Sequence, residues 1–404
     1  MSILRLPESL IPLTMHITPL LEIAQRYELG VPVDIDWTES NLIEIEHEQS
    51  TIRISFDGTL DLCGFRVKDQ WFNPYPSVQQ AKQMVEKDNK LLLCGIPVKS
   101  GVVDVWFYNG RARVEYSPLS GANESYRAML LTALAVGYPM QDAITLARAY
   151  ACSIMRGFHD CHSGWPVAND DFPIPLCLSE KVAFDLGVKS DLGDLPPFPK
   201  LHESSFGLYP IVDDVETAIR LLQLGVKFIQ LRLNKLVETE AEEAVVRVID
   251  ESLKYQAHVF IRGQWQLAIK HHAYGVHLTQ AELPTADLSL IQDAGLCLGL
   301  STHGYYEIIR AMAIKPSYIA IGHVFPDATE KSAPEALGLN YLALYQELVE
   351  DFPTVAVGGI TQDNAYRVWR TGVDAFAVTR AIENSTDLEK TIAEFNQVVA
   401  QKQL

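Results

Sequence analysis

Basic charge is scarce in this chain: 33 lysines and arginines face 51 aspartates and glutamates, giving a net charge of −18 over 404 residues. Phosphate backbones and anionic bilayers are held by basic patches, so a broad nucleic-acid or membrane surface is excluded and only local basic pockets remain open. Long apolar runs are missing too. No stretch approaches the ~18 uninterrupted apolar residues of a membrane span. The amino terminus, MSILRLPESLIPLT, lacks the basic segment and apolar run of a secretory leader. Cysteines are few and scattered: Cys63, Cys94, Cys152, Cys161, Cys177 and Cys297 show no CxxC spacing. Reduced thiols in a soluble cytoplasmic protein are expected.

What is present is a 48% hydrophobic chain long enough for two domains. Three parts are expected: residues 1–169, a Pro-rich linker over 170–204 containing the stiff Asp194–Pro199 segment, and residues 205–404. In the first part, short strands are expected at Val31–Ile35, Ile43–His47, Thr51–Phe56 and Thr59–Cys63. A helix follows over Pro76–Asp88, a buried strand at Lys90–Cys94, and a hairpin turning at Asn109-Gly110. Helical spacing resumes over Glu124–Val136 and Gln141–Met155. His159, Cys161 and His162 are a metal-like cluster, but zinc takes ligands from two separated segments and no second set is evident, so a structural role is expected.

After Phe206 the pattern becomes regular. Apolar strands near Gly207–Val212, Phe228–Leu231, Val259–Ile261, Gly275–Leu278, Cys297–Leu300, Tyr318–Ile321, Thr354–Val357 and Ala375–Val378 alternate with helical stretches. Eight strand–helix repeats predict a closed (β/α)8 TIM barrel, whose site lies at the C-terminal strand ends. Those ends carry Gln230, Arg232 and Asn234; Arg262-Gly263; Thr279 and Glu282; Ser301 and His303; His323; Gly358-Gly359; and Thr379-Arg380. A Gly-Gly after the seventh strand, followed by the turn after the eighth, suits phosphate binding by backbone N–H groups.

The runs FIQLR (Phe228–Arg232), LAIKHHAYGVHL (Leu267–Leu278), STH (Ser301–His303), YIAIGHVFP (Tyr318–Pro326) and VAVGGI (Val355–Ile360) resemble those of the thiamine-phosphate synthases, over about Gly207–Ile382. Earlier in the chain, Pro76–Gly157 resembles the C-terminal part of the hydroxymethylpyrimidine-phosphate kinases. The expected architecture is therefore a truncated ribokinase-like α/β domain followed by the barrel. In the kinase-like turn, Gly121-Ala122-Asn123-Glu124, Asn123 replaces a glycine and Glu124 the catalytic cysteine. A carboxylate there repels developing phosphate charge, so a retained scaffold, not an active kinase, is expected.

The synthase resemblance implies joining of hydroxymethylpyrimidine diphosphate to thiazole phosphate with loss of diphosphate, and Mg²⁺ as cofactor. The implied partners are thus small phosphorylated pyrimidines and thiazoles; nothing in the pattern excludes self-association. Gln230 and Arg232 match pyrimidine-diphosphate contacts, Ser301 and Thr329 match members of the same set, and Gly358-Gly359 the phosphate turn. Other positions depart. The family's lysine after strand two falls at Asn234. Its Asn-Asp metal turn is Arg262-Gly263, and its second metal-ligating aspartate is Glu282. A diphosphate lysine falls at Glu330 with Lys331 next to it, and a serine at Arg380. Arg262 and Arg380 add guanidinium groups suited to phosphate. Three functions follow: a synthase with a rebuilt diphosphate site, an inactive binder or partner protein, or a thiazole tautomerase with His323 of Gly322-His323-Val324-Phe325 moving the proton.

Overall fold

The computed structural model describes residues 1–56, 64–70, 74–121, 123–157, 164–175, 195–201, 206–233, 237–326, 336–349 and 351–401. They form two compact units, Met1–Asp194 and Leu195–Leu404.

The first unit is built on a nine-stranded mixed sheet in the order β2-β1-β3-β4-β5-β6-β7-β8-β9. Its strands are β1 (Ser2–Pro7), β2 (Val33–Thr38), β3 (Ile43–His47), β4 (Ser50–Ser55), β5 (Phe65–Lys68), β6 (Leu91–Val98), β7 (Gly101–Tyr108), β8 (Arg111–Ser117) and β9 (Ile174–Pro175). β1 runs parallel to β2, whereas β6, β7 and β8 are an antiparallel meander turning at Asn109-Gly110, both at positive φ as a tight hairpin requires. Helix Val78–Lys87 opens on a capping box between Ser77 and Gln80 and packs Val78, Ala81 and Val85 on the meander. Helices Asn123–Val136 and Met140–Arg156 are buried along most of their length. Elements not expected from the pattern include β1, β5, β9, which lies in the expected linker, and helix Thr14–Arg26, which carries Pro19 in its interior. The expected strand at Thr59–Cys63 lies outside the described residues, as do His159, Cys161 and His162.

The second unit is a closed parallel barrel of eight strands: β10 (Gly207–Val212), β11 (Phe228–Leu231), β12 (His258–Arg262), β13 (Gly275–Leu278), β14 (Cys297–Thr302), β15 (Tyr318–Gly322), β16 (Thr354–Val357) and β17 (Ala375–Val378). All eight expected strands are present. Closure is made by β10 on β17, with Gly207 opposite Ala375. Strand periodicity of two decides the interior. Tyr209, Phe228, Phe260, Cys297, Tyr318, Ala320, Val355, Ala375 and Ala377 fill it as one buried cluster. Three of its rings meet edge to face: Tyr209 on Phe260 at 6.0 Å, Tyr209 on Tyr318 at 5.8 Å and Phe260 on Tyr318 at 5.2 Å. Gly299 makes room for this, because a Cβ there would stand 2.1 Å from Tyr318 Cζ. Among the described residues no helix is long and apolar enough to cross a membrane.

Candidate active site at the barrel mouth

The same periodicity that points Phe228 and Phe260 inward points Gln230 and Arg262 inward two residues later, above the apolar layer. Together with Arg232, Ser301, His323, Gly358, Gly359, Thr379 and Arg380 they line a cavity of about 550 Å³. With Thr279 and His303, which also line it, eleven of the strand-end residues singled out in the sequence thus converge on one space. Glu282 does not line it. Asn234, Thr329 and Lys331 lie outside the described residues, as do Lys235 and Glu330.

The floor is a hydrogen-bonded chain that the sequence did not reveal. Tyr209 Oη lies 2.8 Å from Tyr318 Oη, Tyr318 Oη 2.7 Å from His277 Nδ1, and His277 Nε2 2.8 Å from Ser301 Oγ. A neutral imidazole donates at one nitrogen and accepts at the other, so the ring polarises the chain in one direction. Its neutrality has a cause. Burial, and then the neighbouring Arg262 charge, hold the His277 imidazole well below its usual 6.5, at about 3. Both tyrosines are pushed up by burial, so they remain phenols. Gln230, 2% exposed, also lines the cavity.

The phosphate-type turn is shaped by close approach. Gly358 and Gly359 have φ of 106° and 63°. Cβ atoms there would come within 2.7 Å of His323 Cα and 2.7 Å of Phe325 Cβ. The chain after β15 is zipped against this turn, Val324 N–H donating to Val357 O at 2.8 Å and Phe325 N–H to Gly358 O at 3.1 Å. Asn364 closes the loop by donating to Gly359 O at 2.9 Å. Thr379 precedes a short helix, Arg380–Glu383, the extra element that barrels use beside a bound phosphate. On the other side, the His323 ring stacks on His303 at 5.9 Å, and Glu307 Oε2 lies 2.8 Å from His303 Nδ1. The residues missed in the sequence are Tyr209, His277, Tyr318 and Glu307. The inward parity of His277 with Gly275 and Thr279 was the available signal.

The implied magnesium site does not fit the residues present. Gly263 has no ligand to offer and a φ of 73°. Glu282 folds back on its own loop, Oε2 accepting from Thr279 N–H at 2.7 Å and Thr279 Oγ1 at 2.8 Å. Its Oε1 occupies the space beside Gly263, 2.6 Å from where a Cβ would stand. Arg262 brings a fixed positive charge to the same corner. Among the described residues no three His, Cys, Asp or Glu side chains converge as a metal site.

Comparison with known proteins places relatives on the second unit. A family described as thiamine monophosphate synthase matches residues 208–382. A thiamine-phosphate synthase of Salmonella typhimurium is 48% identical over 199 residues, which cover 49% of this chain and 94% of that protein. By its C-terminal half, this chain belongs to the thiamine-phosphate synthase family. The enzyme of that name from Proteus mirabilis is 44% identical over 200 residues, 50% of this chain and 93% of its own. A solved structure, thiamine phosphate pyrophosphorylase from Pyrococcus furiosus, aligns at 28% identity with a TM-score of 0.43, over 48% of this chain and 95% of that one. Members of the thiamine-phosphate synthase family with these names match the barrel; the family match does not extend into residues 1–207.

Proposed function

We propose that the barrel works in thiamine biosynthesis as a thiamine-phosphate synthase-type transferase. It would join hydroxymethylpyrimidine diphosphate to thiazole phosphate. The bond from the pyrimidine methylene carbon to the diphosphate oxygen breaks, and the electron pair leaves with diphosphate. The thiazole nitrogen lone pair then forms the new C–N bond. Such chemistry asks for two substrates held in line in a space closed to stray nucleophiles. It also asks for cations where negative charge collects on the leaving group. The observation that carries this reading is the convergence on one cavity of a buried amide (Gln230), a hydroxyl (Ser301), guanidinium groups and a two-glycine turn. The amide and hydroxyl suit a pyrimidine edge, and the glycine turn with Thr379 suits the thiazole phosphate. No step is routed through a metal.

A second reading rests on His303, His323 and Glu307. A carboxylate beside one of two stacked imidazoles suits proton transfer on a thiazole phosphate, with or without the synthase reaction. A catalytically silent binder of thiazole or thiamine phosphate is the remaining alternative. For the N-terminal unit we propose a scaffold role. At the start of helix Asn123–Val136, Arg127 grips the Asp69 carboxylate with Nε and Nη2, at 2.5 and 2.8 Å, and Asn123 Nδ2 donates to Asp69 O at 3.3 Å. Pairing of these side chains with one another supports the scaffold role.

One experiment addresses both units. The full chain is incubated with both synthase substrates, with Mg²⁺ or with EDTA, and thiamine phosphate is measured; none under either condition overturns the synthase reading. Calorimetric binding of thiazole phosphate then separates a ligand-binding protein from one that only holds a partner. A parallel arm supplies ATP and hydroxymethylpyrimidine phosphate, and diphosphate formed there would overturn the scaffold role.

A further inference from the structure

The cavity is basic in an acidic protein. Among the described residues its walls carry three guanidinium groups, Arg232, Arg262 and Arg380, and one carboxylate, Glu383, while the whole chain has a net charge of −18. A concave site of one sign selects ligands of the other. Two of the arginines leave neighbouring strands at matching positions. β11 and β12 pair in register, Gln230 with Phe260 and Leu231 with Ile261; the residues that follow are Arg232, just past the end of β11, and Arg262, the last of β12, and both line the cavity. Like charges at one level of neighbouring strands repel, and an anion bridging them turns that repulsion into attraction. Glu383 lies 3.9 Å from Arg232 at one edge. On the other side, Arg262 pairs in register with His277, whose imidazole feels its charge.

The same corner closes against a divalent cation. Gly263 offers no side chain, and Glu282 fills the space beside it while its other oxygen accepts two hydrogen bonds from Thr279.

We propose that Arg262, with Arg232 beside it, grips the diphosphate group of the substrate directly and that no divalent cation takes part. Guanidinium is suited to this: it is charged at every working pH and presents paired donors matching two phosphate oxygens. Fixed in the cavity wall, it balances charge on the leaving group without needing carboxylate ligands. The proposal rests on the synthase reading only for which molecule carries the diphosphate.

The test is calorimetric titration of the full chain with inorganic pyrophosphate, in EDTA and in Mg²⁺. Saturable binding in EDTA is expected, with no gain in affinity from Mg²⁺. Arg262→Gln should weaken it about tenfold or more, and Arg262→Lys by less, because lysine keeps the charge and loses the paired donors. Thermal melting checks that each variant is folded. If Arg262→Gln is not, the EDTA titration of the unmodified chain and of Arg262→Lys decides. No pyrophosphate binding, binding that needs Mg²⁺, or a folded Arg262→Gln with unchanged affinity overturns the proposal. Pyrophosphate binding in EDTA without thiamine phosphate formation would sink the synthase reading and leave the arginine grip standing. Thiamine phosphate formed only with Mg²⁺ would do the reverse.

Discussion

The floor and the rim of the barrel cavity follow different rules. On the floor, Tyr209, Tyr318, His277 and Ser301 come from four strands, and each satisfies a polar group of the next. Changing one leaves a buried partner unsatisfied, at about 1–3 kcal/mol for each group. At the rim, the loop after β12 is tied to the next strand and the loop after β13 closes on itself. Gly263 N–H donates to His277 O at 3.0 Å, and Glu282 and Leu283 N–H donate to Thr279 O at 3.1 and 3.0 Å. Side chains there change without disturbing the strands, as loops on a rigid scaffold allow. Residues on the floor are therefore more tightly coupled to stability than residues at the rim.

The largest break in that contrast is expected from His277. Its folded-state value of about 3 lies far below the free 6.5. As pH falls through 6.5 the unfolded chain takes up a proton that the folded ring refuses until about pH 3. Stability from this group is therefore complete above 6.5 and is lost on acidification across that window, at about 1.4 kcal/mol per pH unit. His277→Gln keeps a donor and an acceptor but no titration. Denaturant unfolding from pH 7 to 4 should show the unmodified chain falling more steeply than the variant by that slope. Parallel curves would mean that the ring is not buried as a neutral base.

Gly299→Ala attacks the floor from behind. The new methyl would meet the Tyr318 ring at 2.1 Å, and moving the ring breaks its hydrogen bonds to Tyr209 and His277. A loss of about 3 kcal/mol is expected from overpacking and the unsatisfied groups together, read as a lower urea midpoint at pH 7. An unchanged midpoint would show that the interior can yield, contrary to its close-packed aromatic cluster.

Much of this molecule is legible in its sequence, and what escapes has physical reasons. Eight apolar strands of a parallel barrel are continuous runs, and helices of regular spacing separate them, so the architecture from Gly207 onward can be counted off. Parity then carries Gln230 and Arg262 to the cavity. Near the amino terminus, Pro12 and Pro19 interrupt the helical pattern of residues 8–26. Ile17, Leu20 and Ala24 nevertheless bury one face of helix Thr14–Arg26, because tertiary packing outweighs the prolines. The floor was invisible for another reason. Tyr209 and Tyr318 are 109 positions apart, and His277 and Tyr318 are 41 apart, so no local pattern announces their contact. At the rim, the exchange of residues was visible as Arg262-Gly263 and Glu282, but the direction of the Glu282 carboxylate was not. It turns towards Thr279 instead of the cavity.

That turn supplies the smallest and most discriminating test. Thr279→Val removes the hydroxyl that donates to Glu282 Oε2 and keeps the backbone N–H donor to the same oxygen. One charge-assisted hydrogen bond is lost at a half-exposed site, so stability should drop by only about 1 kcal/mol in urea unfolding. The consequence for the rim is sharper than for the fold. If Glu282 has been withdrawn from metal chemistry only by its tether, loosening it should let Mg²⁺ raise the unfolding midpoint of the variant. With Gly263 opposite and Arg262 beside it, a single freed carboxylate does not suffice. Mg²⁺ should therefore leave the midpoint unchanged in the variant, as in the unmodified chain. A Mg²⁺-dependent rise confined to Thr279→Val would show that the rim differs from a metal site by one hydroxyl, and that the arginine is an addition to that site instead of its replacement.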